Sequence, residues 1–294
     1  KSDNSLYVLV QNPYRGELLK FDSKRKTFET YLQRLSAYYL SFSRDGQWMT
    51  YVNSVDQCLW RSRVDGTEAL QLTKDSMEVE ISSWSPDGKR IAFTAKQPGK
   101  PWRIFLIGRD GGESIEATVG DDNQGGPTWS PDGKQLIYAN VDCNEAQACW
   151  IRRVDLATGK TELLPGSYGF RTARWSPDGK YIAALQPATQ ELRLFSVKTR
   201  LWTKLADSIN GDNINWSSDS QSVFVDSPHG PTPTIERIRV TDGRRTAVAS
   251  LASLQNIFGT VGTWVGLTPD DSPILFHSFG SSEVYSVEWT DEGM

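Results

Sequence analysis

Histidine is nearly absent from this chain, cysteine is scarce, and no long apolar run occurs. His229 and His277 are the only histidines among 294 residues. Nothing beside either completes a ligand set or a catalytic triad, which argues against a histidine-centred metal site and leaves a packed or solvated imidazole. No uninterrupted apolar stretch approaches the roughly 18 residues of a membrane-spanning helix. Lysine and arginine number 32 against 36 aspartates and glutamates, for a net charge of −4 and a pI near 5.4. That balance excludes a sequence-independent grip on nucleic acid, which needs clustered cations to displace counterions from phosphate. Lys1 is not followed by the basic, apolar and small-residue regions of a signal peptide, so a chain already processed, cytosolic, or cut from a longer protein is expected.

Reactive constellations are missing as well. No G-x-S-x-G nucleophile elbow occurs; the nearest string, PGSYG at 165–169, has proline in place of the first glycine and no helical pattern after it. Acidic loops at Asp121-Asp122-Asn123 and at Asp207, Asp212 and Asn213 lack the ordered D-x-D-x-D-G spacing of a dedicated calcium loop and read as solvated turns. The sequence therefore calls for no cofactor, no metal and no catalytic residue. Of the three cysteines, Cys143 and Cys149 bracket NEAQA between two strands of one unit, whereas Cys58 is left over. A disulfide between the first two needs Cβ atoms within about 4.5 Å and would imply an oxidising compartment; reduced thiols fit the odd count equally.

What the chain has in abundance is repetition. WSPDGK stands at 84–89, 129–134 and 175–180, and degenerate copies appear as FSRDGQ around Asp45, WSSDSQ around Asp219 and LTPDDS around Asp270. A weaker copy, KSDNS, contains Asp3, so that successive aspartates lie 42, 42, 45, 46, 41 and 51 residues apart. Four and six residues past each aspartate are Tyr7/Leu9, Met49/Tyr51, Ile91/Phe93, Leu136/Tyr138, Ile182/Ala184, Val223/Val225 and Ile274/Phe276. This is the alternation of a half-buried strand. Ser-Pro-Asp-Gly fills positions i to i+3 of a type I turn, with proline presetting φ and glycine ending the corner.

A short strand ending in an aromatic residue precedes each corner and an alternating strand follows it. Third strands such as RIFLI 103–107, WIRRV 150–154 and EVYSVEW 283–289, and fourth strands such as LQLT 70–73, complete the unit. Four short strands per unit of about 40–45 residues specify an all-β propeller of four-stranded antiparallel blades. Seven blades are preferred, the N-terminal copy LYVLV 6–10, ELLKF 17–21 and TFETYL 27–32 being the seventh, with six as the alternative. Residues 1–294 are read as one propeller domain, excised from a longer chain. The repeated aromatics fill the wedges between sheets, where burial of apolar surface is worth about 25 cal/mol per Å²; the motif residues are therefore read as scaffold.

The W-S-P-D-G-K copies, with apolar alternation and D-G-G or D-x-x-T-G-K turns, resemble the TolB-type propeller repeat over nearly the whole chain. Segments such as FSRDGQWMTYV, RWSPDGKYIAAL and TPDDSPILFHSFGSSEVYSVEW are similar to the C-terminal propeller region of bacterial regulators with a winged-helix DNA-binding head. That resemblance implies a noncatalytic sensory or interaction domain outside the cytoplasm, periplasmic in setting, taking a peptide, protein or small ligand. Such repeats also gate serine peptidases, so an accessory propeller of a hydrolase is the rival reading; a propeller enzyme using channel carboxylates is a third. Loops leading into the inner strands would bring Tyr38, Tyr39, Glu78, Glu80, Asp122, Asn123, Tyr168, Arg171, Asn213 and Phe258 to one rim, a mixture of aromatic and polar groups suited to a peptide or protein loop.

Overall fold

The computed structural model describes residues 5–12, 16–74, 76–140, 149–228, 232–254, 264–279 and 281–288. Five blades follow one another in chain order, each antiparallel throughout. The first is β4 (Ala37–Phe42), β5 (Trp48–Asn53), β6 (Leu59–Arg63) and β7 (Leu70–Gln71). The second is β8 (Glu78–Trp84), β9 (Arg90–Lys96), β10 (Arg103–Gly108) and β11 (Gly111–Glu116). The third is β12 (Gln124–Trp129), β13 (Gln135–Asn140), β14 (Ile151–Asp155) and β15 (Thr161–Leu163). The fourth is β16 (Arg171–Trp175), β17 (Tyr181–Gln186), β18 (Glu191–Ser196) and β19 (Trp202–Ala206). The fifth is β20 (Ile214–Trp216), β21 (Ser222–Ser227), β22 (Thr234–Arg239) and β23 (Arg245–Ser250).

Ring closure follows the alternative of six blades and not the preferred seven, and the sixth is shared between the two ends of the chain. Its inner strands are β24 (Val265–Leu267) and β25 (Pro273–Ser278), and its outer strands are β2 (Gly16–Asp22) and β3 (Thr27–Tyr31). Leu18 opposes Phe276 in that sheet, and both are buried. The remaining segments, β1 (Ser5–Asn12) and β26 (Ser281–Glu288), pair with each other in a separate two-stranded antiparallel ladder. Apolar alternation reports a strand but not its partner. The alternation at Tyr7 and Leu9 thus marks a real strand that belongs to no blade, and residues 283–288 do not serve as third strand of the sixth.

Each motif corner is held by the same bonds. The serine hydroxyl donates to the aspartate Oδ1 at 2.6 Å in Ser43–Asp45, Ser85–Asp87 and Ser130–Asp132 and at 2.7 Å in Ser176–Asp178 and Ser217–Asp219, with Thr268–Asp270 replacing it in the sixth blade. The same aspartate oxygen accepts an amide two residues on, for example Lys89 N at 3.1 Å, and the serine oxygen accepts the amide that opens the next strand, for example Arg90 N at 2.9 Å. At Asp45, Asp87, Asp132 and Asp219 the serine bond is the chief cause holding the carboxyl below the ordinary aspartate range. The fourth corner position has positive φ in every blade: Gly46, Gly88, Gly133, Gly179, and also Ser220 at 61° and Asp271 at 58°.

The corner tryptophans lock blade to blade. Trp84 Nε1 donates to Ser41 O of the preceding blade at 3.1 Å, Trp129 Nε1 to Ser83 O at 2.9 Å and Trp216 Nε1 to Arg174 O at 2.9 Å. Trp84 and Trp129 are each 6% exposed. A buried indole needs such a partner, because an unpaired N–H in an apolar wedge forfeits its bond to water. Trp175 is the departure. Its Nε1 turns to Gly179 O of its own corner at 3.4 Å.

Candidate binding channel

The six inner strands surround a central cavity of about 520 Å³. Every blade contributes to its wall, and it extends to the corners, where Arg44, Pro86, Pro131, Pro177, Ser218 and Pro269 occupy the position after the motif serine or threonine. Arg44, Ser218 and Pro269 are exposed, so the cavity meets solvent at the corner end. At the loop end the wall is formed by Tyr39, Ile81, Asn213 and Trp264, with Tyr39 and Trp264 meeting edge to face at 6.4 Å between ring centroids. The size lies within the roughly 300–1,000 Å³ of small-molecule and side-chain pockets.

One ring of residues, immediately before the corner aromatics, gives this channel its chemistry. Five blades carry Ser41, Ser83, Thr128, Asn215 and Gly266 there; the fourth carries Arg174. Ser41, Ser83, Thr128, Arg174 and Asn215 line the cavity. Small polar groups leave the passage open. Arg174 Nη1 donates to Ala173 O at 3.0 Å and reaches Gly126 O at 3.5 Å. Burial by the surrounding blades pushes its pKa down to about 10, which still leaves it charged at neutral pH. The side chain keeps some contact with solvent, as expected of a group on the wall of an open channel. The mouth holds two more charges: Arg44, and Asp271, whose carboxylate accepts Ser218 N at 2.8 Å and Ser218 Oγ at 3.1 Å.

Of the described residues expected at the rim, two line this cavity and the others make contacts elsewhere. Tyr39 and Asn213 line it. Tyr38 is fully buried, with its hydroxyl donating to Gln57 Oε1. Glu78 pairs with Lys96 at 3.0 Å. Glu80 is part-buried, and desolvation raises its pKa to about 7 against the attraction of Lys96, with Glu78 adding repulsion. Asp122 accepts Arg103 Nη1 at its carbonyl and Gln124 Nε2 at Oδ1, while Asn123 Oδ1 accepts Trp102 N at 2.7 Å. Tyr168 is 63% exposed. Arg171 pairs with Asp212 at 2.5 Å, and Asn213 holds the buried Asp226 carboxylate through its amide N–H at 2.9 Å and Nδ2 at 2.8 Å. Phe258 lies outside the described residues.

The carboxylates of the second acidic loop are engaged within the protein: Asp207 faces Lys204 at 3.3 Å and Asp212 faces Arg171. Among the described residues no group of three or more His, Cys, Asp or Glu could hold a metal ion. His277 Nδ1 stands 3.7 Å from Glu17 Oε1, and its ring packs edge to face with Phe279; His229 lies outside the described residues. Cys149 is buried and disulfide-bonded, and Cys58 is a buried thiol whose Sγ donates to Asp56 O at 3.4 Å. Cys143 lies outside the described residues.

Sequence reasoning missed Arg174 because the motif copies were read for what they share. Stacking them in register and reading the column before the aromatic residue exposes one arginine among small residues.

No family model and no curated protein matches this chain. Solved structures do. A TolB-like protein of Agrobacterium tumefaciens is similar with a TM-score of 0.70 at 19% identity, over 90% of this chain and 98% of that one. TolB of Acinetobacter baumannii is similar with a TM-score of 0.61 at 16% identity, over 93% of this chain and 66% of that one. The tricorn protease is similar with a TM-score of 0.58 at 14% identity, over 84% of this chain and 29% of that one. At these identities the likeness is one of fold, and the fold is that of TolB-like β-propellers.

Proposed function

We propose that this chain is a noncatalytic binding propeller, the sensory or interaction domain of an extracytoplasmic regulator, and that its partner enters the central channel from the corner end. Residues 1–294 would act as one propeller domain of a longer protein. The observation that carries the reading is the open cavity of about 520 Å³ walled by all six blades, with hydroxyl and amide groups at its waist. It offers shape and a few fixed polar groups, the requirements of a binding site, and among the described lining residues no convergent nucleophile and base. The resemblance of the repeats to the propeller region of winged-helix regulators supports the placement in a regulator. The disulfide at Cys149 favours an oxidising compartment such as the periplasm. Among the described residues no helix is long and apolar enough to cross a membrane. The rival reading, an accessory propeller of a hydrolase, draws on the likeness to the tricorn protease.

Peptide display against the 294-residue chain tests the channel. Selected heptapeptides are retested on Ser83→Trp, which places an indole in the passage, and on Tyr168→Ala at the loop end, after melting curves establish that both variants fold. Loss of binding by about tenfold or more in S83W, with Y168A close to the parent, is expected. Peptides indifferent to S83W, or no enrichment above a control protein, would defeat the proposal.

A further inference from the structure

The other part-buried arginines among the described residues each have a carboxylate or an aromatic ring as partner, although Nε of Arg109, Arg152 and Arg171 makes no hydrogen bond there. Among the described residues that are at least part-buried, Arg61, Arg63, Arg103, Arg109, Arg153, Arg171 and Arg193 reach carboxylates. Arg90 and Arg152 lie over the rings of Trp129 and Trp150 at 5.0 and 4.7 Å. Arg174 has neither. Its bonds within the described residues go to two neutral carbonyls through a single nitrogen, Nη1. Its Nε and Nη2 donors make no bond to those residues, and the side chain lines the cavity.

A guanidinium taken out of bulk water without a counter-charge is held at a cost that a partner anion would offset. A planar fork with free donors matches a carboxylate in two parallel bonds. The channel supplies no such carboxylate at this depth. Asp271, its one acidic lining residue, sits at the mouth and is tied to Ser218. Arg44, at the mouth and exposed, adds a second cation on the approach. Resting on the channel reading above, we propose that the group entering the channel is a carboxylate of a peptide or protein segment, received by Arg174 at the waist of the six inner strands.

Thr128 and Asn215 stand at the matching positions of the two blades flanking Arg174, with Ser83 one blade further, and these uncharged polar groups complete the ring around the bound anion. Arg44 acts on the approach. Because it is exposed, salt screens it, and it contributes more to the rate of association than to the final affinity.

The test uses the 294-residue chain with two probes, Ac-Ala-Glu-Ala-NH2 and Ac-Ala-Gln-Ala-NH2. Titration is followed by NMR on the indole Nε1–H signals of Trp175 and Trp216 and the Nε–H signal of Arg174. The glutamate peptide is expected to bind weakly but saturably, about tenfold tighter than its glutamine counterpart, and Arg174→Met to abolish the preference while its melting temperature stays near the parent's. Arg44→Gln should lower affinity by no more than about threefold. If both peptides bind the channel equally, or the preference survives in R174M, the anion proposal falls and the channel reading stands. If neither peptide moves a channel signal at millimolar concentration while displayed peptides still depend on Ser83, the same separation holds. Failure of both experiments removes both.

Discussion

The two ends of the inner strands obey different rules. At the corner end six blades repeat one hydrogen-bonded turn, with the hydroxyl of Ser or Thr donating to an aspartate in each. At the loop end no two blades are alike: Tyr39, Glu80, Asn123 and Asn213 each make their own contacts. Variety at the loop end invites the inference that binding happens there. The cavity, however, meets solvent at the repeated corners, and a single departure inside the repeat, Arg174, distinguishes its wall. In a radial fold a substitution in one copy changes a surface shared by all six blades, whereas a variable loop can spend its variety on its own packing.

The sharpest contrast within the corner end is between Trp129 and Trp175, which stand in identical WSPDGK motifs. Trp129 is 6% exposed, packs with Ile104, Leu136, Tyr138 and Val154, and bonds to the preceding blade. Trp175 is less buried; its indole bonds only within its corner, the cross-blade bond being made by its backbone amide to Thr128 Oγ1 at 3.2 Å. Trp129→Ala should therefore cost about 3–5 kcal/mol, the range for removing a buried tryptophan, and Trp175→Ala at least about 1 kcal/mol less, for the missing cross-blade bond. Denaturant unfolding of the two variants measures this. Equal losses would mean that the interblade indole bonds do not distinguish the blades.

The next largest effect tests the loop end through Glu80. Its pKa is raised to about 7 from 4.5, chiefly by desolvation. The folded protein then retains a proton between those values that the unfolded chain has released, so stability falls as pH rises through that window. Below about pH 4.5 both states are protonated and the cost vanishes. Allowing for partial exposure, Glu80→Gln should stabilise the protein by about 1–3 kcal/mol at pH 8 and change it little at pH 4.5. Melting temperatures at the two pH values decide the matter. A gain independent of pH would assign the effect to packing and not to charge. The corner aspartates have depressed pKa values and act in the opposite sense, their contribution being lost as pH falls through the folded values.

Blade architecture was legible because its cause is local. Ser, Pro, Asp and Gly each satisfy one requirement of a tight turn, and the alternation beyond the corner needs no tertiary knowledge. Ring closure was not, since Leu18 and Phe276 meet across almost the whole chain length, and apolar alternation is equally consistent with a blade and with the separate ladder of β1 and β26. The contacts of the rim residues were not legible for a related reason. Tyr38 and Asn213 look like binding residues in a string of letters, yet one is buried against Phe276 and the other braces the Asp226 carboxylate. Arg174 was readable in principle, but only as a difference between copies.

The smallest effect concerns what the corner demands of its fourth residue. Ser220 adopts φ of 61° where Gly88, Gly133 and Gly179 stand in the three full motifs. A left-handed conformation costs an L-residue about 1–2 kcal/mol, and glycine avoids that cost. Ser220 is not merely strained, because its Oγ accepts the amide of Asp178 in the neighbouring corner at 3.1 Å, a bond worth about 1 kcal/mol. Ser220→Gly should therefore leave stability within about 0.5 kcal/mol of the parent, relief of strain and loss of the bond nearly cancelling. Ser220→Ala keeps the strain and loses the bond, and should fall about 1 kcal/mol below the parent. Both variants are read by urea unfolding at neutral pH. If alanine and glycine prove equivalent, the positive φ is not what restricts this position, and the glycines of the other corners are there for another reason.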